Sequence, residues 1–361
     1  MGQQLSSTMD INEPRATFQL PGWYSSDAEI TATIVNMLNA SVGALTNGDN
    51  GVYQRISQFY PNYTPMIFVK KQFQTRLSIL HPGFLKFLNS NNPNQMNTTQ
   101  QDNPQLENYF KTLVIDGPAY LSQLRTKATI IDFLHKLAQD YHTMYKMNVF
   151  LFAEISSTIV DIMSDCLGYD FAATYQAAWY QYFSCLITIM KSFPNIQDGA
   201  SVSFMTLREY MINKNYPFIE FSQELLGVNH QVIDLQHQWL VTLLNVLNCI
   251  ILDDNNLGIN MNDIFTALRD YSALHFFEEE QIFCKATDYP ERDFHLQQHQ
   301  DFLKKVIKTS NDIQVVTNDD QYRQLLQSTL TYLVRWLTNH IRVVDRTMMK
   351  YCSKDNSNAK V

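Results

Sequence analysis

The sequence predicts an all-α protein built from two helical blocks. Apolar residues recur every three or four positions through most of residues 27–192 and again through 216–352, which is the spacing of amphipathic helices, and strand signals are few. The chain has 361 residues, of which 45% are hydrophobic and 12% aromatic, enough to bury two cores. Between the blocks, F-P-N-I-Q-D-G-A-S combines Pro, Gly and polar residues, so we place a linker at 193–215.

The N-terminal arm, residues 1–26, begins M-G-Q-Q-L-S-S. This stretch fits the myristoylation pattern, with Gly2 as the acceptor and Ser6 in the required place. No polybasic stretch follows, and one acyl chain alone binds a bilayer only marginally. We therefore expect at most weak membrane contact, through a lipidated Gly2.

Composition limits the compartment and the partners. The five cysteines are odd in number and widely spaced, which favours reduced thiols and a cytoplasmic protein, and there is no secretory signal peptide. No uninterrupted apolar run approaches the length needed to cross a bilayer. A net charge of −8 argues against a nucleic-acid partner, because neutralising phosphates requires a basic patch.

The first block contains a stretch with a distinctive order of residues around His142. H-T-M-Y-K-M-N-V-F-L-F begins at that histidine, a cysteine then precedes L-G at 167–168, and A-W follows at 178–179. This order resembles the sequence after the proximal histidine of globins related to neuroglobin. The resemblance implies a globin-like domain at 27–192, in which His142 holds haem b and the haem iron binds O₂, NO or CO. The upstream stretch G-V-Y-Q-R-I-S-Q-F-Y-P-N-Y-T-P-M-I-F also resembles globins. This resemblance implies that Phe68 packs on the haem, with Ile67 as the alternative.

The same block leaves two residues open and departs from the globin pattern. No histidine occurs from residue 82 to 134, so the distal haem residue is not histidine. Tyr53 lies where many O₂-binding globins keep a distal tyrosine, and it is either a hydrogen-bond donor to bound O₂ or a core aromatic. His135 is the alternative haem ligand, because a separation of seven residues returns to nearly the same helix face. Pro118 should kink or end the helix expected between about 104 and 124.

Four helix-like segments of the second block each carry side chains that can bind a metal. The seven are His237, then His275 with Glu279, then His295 with His299, and finally His340 with Asp345. On the first three helices they lie on the apolar stripe, and pairs four residues apart share a face, so they should converge. Burying five imidazoles and two carboxylates is costly unless they are densely paired or bind a metal. Nitrogen and oxygen ligands without thiolate favour two non-haem irons over a structural zinc.

Counting coordination positions indicates what such an iron pair would bind. If Glu279, Asp345 and a hydroxide all bridge, each iron has three oxygen ligands before any histidine is added. Five histidines then divide three and two, which leaves a single open position on one iron. A dry, apolar-walled site of this kind suits a small molecule such as O₂.

The four segments read I-D-L-Q-H, H-F-F-E-E-E, H-L-Q-Q-H and W-L-T-N-H-I-R-V-V-D. They resemble the successive signatures of hemerythrin, whereas the Glu-x-x-His pairs of ferritin-like di-iron proteins are absent. The resemblance implies a four-helix up-down bundle of hemerythrin type at 216–352, followed by a tail at 353–361. It also implies that His295, His299 and His340 serve one iron, that His237 and His275 serve the iron with the open position, and that Glu279 and Asp345 bridge.

Two further expectations concern the geometry of this site. His340 and Asp345 are five residues apart and would diverge by about 140° on a regular α-helix. Both can reach one site only across a wide inward face or through a π-type bulge, and we expect a bulge near 341–344. Trp336, one turn before His340, and Phe276, next to His275, should wall the open iron with apolar surface.

These features favour an O₂-binding protein that stores, carries or senses O₂. The alternative is an enzyme that consumes NO, peroxide or O₂ at haem or di-iron, with electrons from an external reductase. The sequence favours the binding protein, because it contains no G-x-G-x-x-G fingerprint or other flavin or nicotinamide module.

Overall fold

The computed structural model describes residues 20–47, 57, 60–90, 104–194, 207–253, 258–283 and 288–355. Within these ranges the regular elements are all helical and there is no strand, so the predicted all-α fold is confirmed. Gly2 and Tyr53 lie outside the described residues.

The described part of the first block is helical. In order, its elements are α1 (Ala32–Asn47), α2 (Pro65–Leu80), α3 (Pro82–Ser90), α4 (Pro104–Phe110), a π-helical turn (Lys111–Asp116), α5 (Gly117–Leu121), α6 (Lys127–Thr143), α7 (Val149–Leu167), α8 (Tyr169–Thr174) and α9 (Gln176–Met190). Local sequence explains both ends of α7. The Asn148 side chain caps its start by accepting from Leu151 N at 2.8 Å, and Gly168, with φ of 74°, ends it.

The core of the first block is filled by aromatic rings. Tyr109, Tyr141, Phe152, Trp179 and Phe183 are each at most 1% exposed. The rings of Tyr109 and Tyr141 meet edge to face at 4.7 Å, and the buried indole of Trp179 donates to the Ser41 hydroxyl at 2.9 Å. The Tyr141 hydroxyl likewise donates to Tyr109 O at 2.8 Å, so these two polar tips are hydrogen-bonded while the rings supply apolar contact.

Helical structure continues through Pro118, where we expected a kink or an end. The proline lies in the first turn of α5, directly after the π-helical turn, where its missing N–H costs nothing. The prediction that the helix ends at Pro118 was wrong, because the π-helical turn continues directly into α5.

The second block is a bundle of four long helices. They follow the short helices α10 (Leu207–Asn213) and α11 (Gln223–Leu226), and are α12 (Gln231–Asp253), α13 (Met261–Phe283), α14 (Arg292–Val315) and α15 (Asp319–Asn339), with α15 extended by a π-helical turn (His340–Asp345) and α16 (Arg346–Asp355). Each long helix contacts the next and α12 contacts α15, so the four close a ring around one core. The short connections between consecutive helices make neighbours antiparallel.

The segment that we placed in the linker includes α10, which packs on the bundle. Leu207 and Met211 on this helix are buried in the same apolar cluster as the bundle core. The second block therefore extends further toward the N-terminus than the apolar periodicity alone indicated.

One helix, Gln231–Asp253, is long and apolar enough to cross a membrane by length and composition. Polar residues such as Asn245 and Asn248 interrupt this helix, so it contains no uninterrupted apolar run of that length. Since 61% of its most apolar window is buried inside the protein, it also fits the core helix of a bundle.

Candidate metal centre

All seven predicted ligand side chains meet in the middle of the bundle. His237 lies on α12, His275 and Glu279 on α13, His295 and His299 on α14, and His340 and Asp345 on the π-helical turn after α15. Each side chain is at most 3% exposed. They form two groups that share Glu279, one with His295, His299 and His340 and the other with His237, His275 and Asp345, and the ligand atoms of each group lie within 4.8 Å of one another.

The two carboxylates lie between the imidazoles. Glu279 Oε2 is 3.5 Å from His275 Nε2 and 3.2 Å from His299 Nε2. Asp345 Oδ1 is 3.1 Å from His340 Nε2, while its Oδ2 is 3.5 Å from His237 Nε2. Each carboxylate is therefore in reach of imidazoles from both groups.

The π-helical turn at His340–Asp345 is the predicted bulge, which is confirmed. In a π-helix the repeat lengthens to i→i+5, so residues five apart return to one side. His340 and Asp345 can then both face the centre, which a regular α-helix would prevent.

The atoms at the centre fit a bound cation. Both oxygens of Glu279, both oxygens of Asp345 and the Nε2 atoms of His237 and His275 are buried and make no hydrogen bond with the described residues. Such groups are costly to bury alone, and neutral imidazole with carboxylate is the donor set that non-haem iron takes.

Protonation in the centre also suits metal binding. Burial opposes ionisation of Glu279, but the imidazoles, His275 first, hold the pKa of Glu279 well below its ordinary value. Burial and Glu279 likewise oppose ionisation of Asp345, yet the pKa of Asp345 is lowered by His340 and other imidazoles. Burial lowers the pKa of His275 to about 3 and that of His340 to about 4, whereas the nearby carboxylates of Asp345 and Glu279 raise the pKa of His295 to about 9 against its burial. The carboxylates therefore favour the ionised form, and His275 and His340 favour the neutral form in which an imidazole can bind a metal.

Four polar side chains that the sequence analysis missed hold the outer nitrogens of the imidazoles. Their partners at Nδ1 are Gln236 for His275 at 3.0 Å, Tyr289 for His295 at 3.3 Å, Glu280 for His299 at 3.1 Å and Gln298 for His340 at 2.7 Å. Three of them stand next to a ligand in sequence but contact the histidine of the following helix. Such contacts fix the ring orientation and leave Nε2 for the metal. For three of these residues, the position next to a predicted ligand was the available signal in the sequence. Which histidine each one contacts depends on the tertiary structure.

Asp234, the acidic residue of I-D-L-Q-H, is not part of the centre. Its carboxylate accepts from Val228 N and from Gln223 Nε2, both at 2.7 Å, and so fastens the chain segment that leads into α12. The Arg346 side chain donates to the carbonyls of Gly227 and Glu224 in the same segment. This segment therefore closes the bundle beside the π-helical turn.

Aromatic rings cover both groups of the centre. Phe276 stacks on His299 at 3.9 Å and Trp336 stacks on His340 at 4.1 Å, both in the group with three histidines. Tyr271 stacks on His275 at 4.6 Å. Trp336 does not wall the two-histidine side as we expected, because a residue one turn before His340 lies against that imidazole. Phe276 contacts both sides, since its ring is also 5.4 Å from that of His275.

Comparison with known proteins identifies the second block. Residues 228–352 match the family model described as "Hemerythrin HHE cation binding domain". These residues form a hemerythrin domain. The bacteriohemerythrin of Clostridium acetobutylicum is 32% identical to the chain over 84 residues, which are 23% of this chain and 61% of that relative. The match thus spans less than two thirds of the relative's length, and no solved structure matches the chain significantly.

Of the residues predicted to bind haem, the structure describes His142 and Phe68, which lie on different helices of the first block. His142, in the last turn of α6, has Nδ1 3.3 Å from Met147 O and its ring 5.3 Å from that of Phe193. Phe68 is buried on α2 against Tyr60, with ring centroids 5.4 Å apart. A cavity of about 540 Å³ in this block is lined by neither His142 nor Phe68. Neither these contacts nor the comparisons support a globin domain or haem b in the first block.

Proposed function

We propose that the hemerythrin domain holds two non-haem irons and binds O₂ reversibly at one of them. The observation that carries this proposal is the pair of buried ligand groups that share Glu279. The family match adds an iron-binding, oxygen-related class of function.

The donor set divides between two irons held side by side. We assign His295, His299 and His340 to one iron, His237 and His275 to the other, and both carboxylates to the bridge. Glu279 belongs to both groups, and Asp345 presents one oxygen to each group, which supports bridging by both. By the count of ligands, the open position would belong to the iron that His237 and His275 would hold.

The protein's own contribution is a fixed, dry and charge-balanced pocket. The hydrogen bonds at Nδ1 orient four imidazoles, and the rings of Tyr271, Phe276 and Trp336 keep water from them. The two ionised carboxylates balance part of the metal charge in surroundings that cannot solvate it. When bound, the irons supply the electrons and the coordination position for O₂.

Iron analysis and optical spectroscopy test this proposal on the full chain. We expect about two non-haem irons per chain, by the count of ligands above. Exposing the anaerobically reduced protein to O₂ should produce a visible absorption band that disappears when O₂ is removed. Iron at this ratio without any O₂-dependent band would contradict reversible binding, and continuous O₂ consumption with a general reductase would favour the enzyme instead.

Three further predictions rest on the sequence alone. Haem b at His142 is tested by a pyridine haemochrome assay of the same protein, and a haem content near zero would remove it. Lipidation of Gly2 is tested by the mass of the N-terminal peptide from eukaryotic cells. The cytoplasmic location is tested by fractionation of the same cells, with the Gly2→Ala variant as the control for membrane contact.

A further inference from the structure

The first block contains a cavity of about 540 Å³ that shares no residue with the metal centre. It lies between the segment that leads into α1, the turn that joins α5 to α6, and α9. Sites for small molecules usually have volumes of about 300–1,000 Å³, so this cavity is large enough to hold one. The chemistry of its walls indicates which class of molecule it would bind.

The inner walls of the cavity are aliphatic. Val35, Leu121 and Leu134 are each at most 6% exposed, and Ile189 is half-buried beside them. Ile131 is 43% exposed and extends the apolar surface to the mouth. None of the described residues that line the cavity has an aromatic ring, so a flat aromatic molecule would find no ring to stack on. A flexible hydrocarbon chain suits these walls better, because it gains from apolar burial alone.

Cys185 contributes a neutral side chain to the inner wall. It is 8% exposed, and its Sγ lies 3.3 Å from Ala28 O. Burial raises the pKa of this thiol to about 11, so it stays protonated and packs as a small apolar residue. Among the described lining residues there is no histidine, and Glu29 supplies the one carboxylate. The walls therefore do not fit a metal ion or a haem.

The mouth of the cavity carries positive charge. Arg125, Lys127 and Glu29 line it and are exposed. Lys127 Nζ is 2.8 Å from Glu29 Oε1, so these two charges offset each other, whereas Arg125 forms no ion pair with any residue that the structure describes. The positive end of the α6 dipole adds to this charge, since the first turn of α6 contains no acidic residue. The mouth therefore favours an anionic head group.

We propose that this cavity binds a long-chain fatty acid, with the hydrocarbon chain against the aliphatic walls and the carboxylate at Arg125. Burial of the chain supplies most of the affinity, because water screens a charge at an exposed mouth. Arg125 then determines which charge the head group carries. A chain attached to Gly2 would share the hydrocarbon but would have no carboxylate, so Arg125 favours the free acid. The inference goes beyond the proposed function, because it does not depend on iron.

Calorimetric titration of the full-length protein with laurate is the first test. The protein is produced in bacteria without an acyltransferase, so Gly2 is unmodified. We expect saturable binding of one laurate per chain, with the negative heat-capacity change that burial of apolar surface produces. Dodecyltrimethylammonium has a chain of the same length with a positive head group, and it should bind more weakly. Absence of saturable laurate binding, or equally tight binding of this cation, would overturn the proposal.

Variants then locate the two ends of the ligand. Ala32→Phe places a ring in the cavity from the exposed first residue of α1, and we expect it to weaken laurate binding roughly tenfold, because methylene groups lose their burial. Arg125→Gln should weaken it by about two- to fivefold, the effect of one exposed charge pair. Lys136→Gln is the control and should match the wild type, since Lys136 is an exposed cation of α6 that does not line the cavity.

Either variant can contradict the proposal by itself. Unchanged laurate affinity in Ala32→Phe would place the hydrocarbon chain elsewhere on the protein. An Arg125→Gln protein that matches Lys136→Gln would show that the carboxylate does not lie at this mouth, and this variant changes an exposed residue, so it tests the proposal even if Ala32→Phe does not fold.

A last titration separates the free acid from a chain on Gly2. Co-expression with an N-myristoyltransferase gives the acylated protein, which the mass of its N-terminal peptide identifies. We expect this protein, or unmodified protein if Gly2 is not a substrate, to bind laurate as the bacterial protein does. Loss of laurate binding on acylation would assign the cavity to the attached chain and overturn the free acid as its ligand.

Discussion

At the scale of single residues, Gly117 lies directly against the side chain of Tyr182 on α9. A Cβ at this position would lie 2.5 Å from the hydroxyl oxygen of Tyr182, whose side chain is fully buried and donates to Leu113 O at 3.3 Å. The tyrosine therefore cannot withdraw without losing a hydrogen bond or distorting the core. The absence of a side chain at residue 117 is a packing requirement.

We expect Gly117→Ala to destabilise the protein by about 1–2 kcal/mol, because overpacking outweighs the better helix propensity of alanine. Gly43→Ala is the matched control: Gly43 also lies in a helix, but a Cβ added there would meet no atom within 4 Å, so this change should stabilise by about 0.5–1 kcal/mol. Urea unfolding followed by circular dichroism measures both. Equal effects of the two substitutions would show that the contact with Tyr182 does not constrain the helix.

The ligands themselves were predictable at this scale, and their surroundings were not. His237, His275 and His299 each lie on an apolar stripe, so periodicity alone indicated that they face the core. The residues behind the imidazoles follow no such periodicity. Gln236 contacts the histidine of the next helix, and which helix is next depends on the tertiary arrangement.

At the scale of elements, the segment before α12 depends on a single buried carboxylate. Asp234 is 7% exposed and accepts two hydrogen bonds, from Val228 N and Gln223 Nε2. Because it belongs to I-D-L-Q-H, its position in the sequence alone does not distinguish it from a ligand. The structure gives it a role in fastening the segment and none in the centre.

We therefore expect Asp234→Ala to lower the free energy of unfolding by about 1–3 kcal/mol, the cost of two lost partners, while the protein still binds two irons per chain. Asp319→Ala is the control, since Asp319 is exposed at the start of α15. Chemical denaturation and iron analysis of the purified variants separate the two effects. Loss of iron at unchanged stability would instead place Asp234 in the centre.

The π-helical turn shows which element could be derived from spacing. A separation of five residues between two predicted ligands favours a bulge over a regular α-helix, and the bulge is present. The other π-helical turn, Lys111–Asp116, contains no such pair and was not expected. Spacing predicts a bulge only where two side chains must reach one point.

At the scale of the whole molecule, the two blocks pack directly against each other. Leu274 of the bundle joins the core cluster of the first block, and Ile79 of the first block joins that of the bundle. The sequence predicted two helical blocks but not this exchange, because apolar periodicity shows which residues face inward and not which core they enter. For the same reason, the local order of residues that resembles globins does not show whether those residues meet around a haem.

The central claim is that seven side chains hold two irons that bind O₂, and Asp345 is the residue that tests it most directly. It is fully buried and lies between imidazoles of both groups, so Asp345→Ala removes a bridge and leaves the metal charge poorly balanced. The control is His135→Ala, an exposed histidine of α6 far from the centre in sequence.

The measurement is the visible absorption band that appears when the anaerobically reduced protein meets O₂, recorded together with the iron content. We expect the wild type and His135→Ala to show the band with about two irons per chain, and Asp345→Ala to lose the band together with most of its iron. An Asp345→Ala protein that keeps the band at full strength would contradict the ligand assignment.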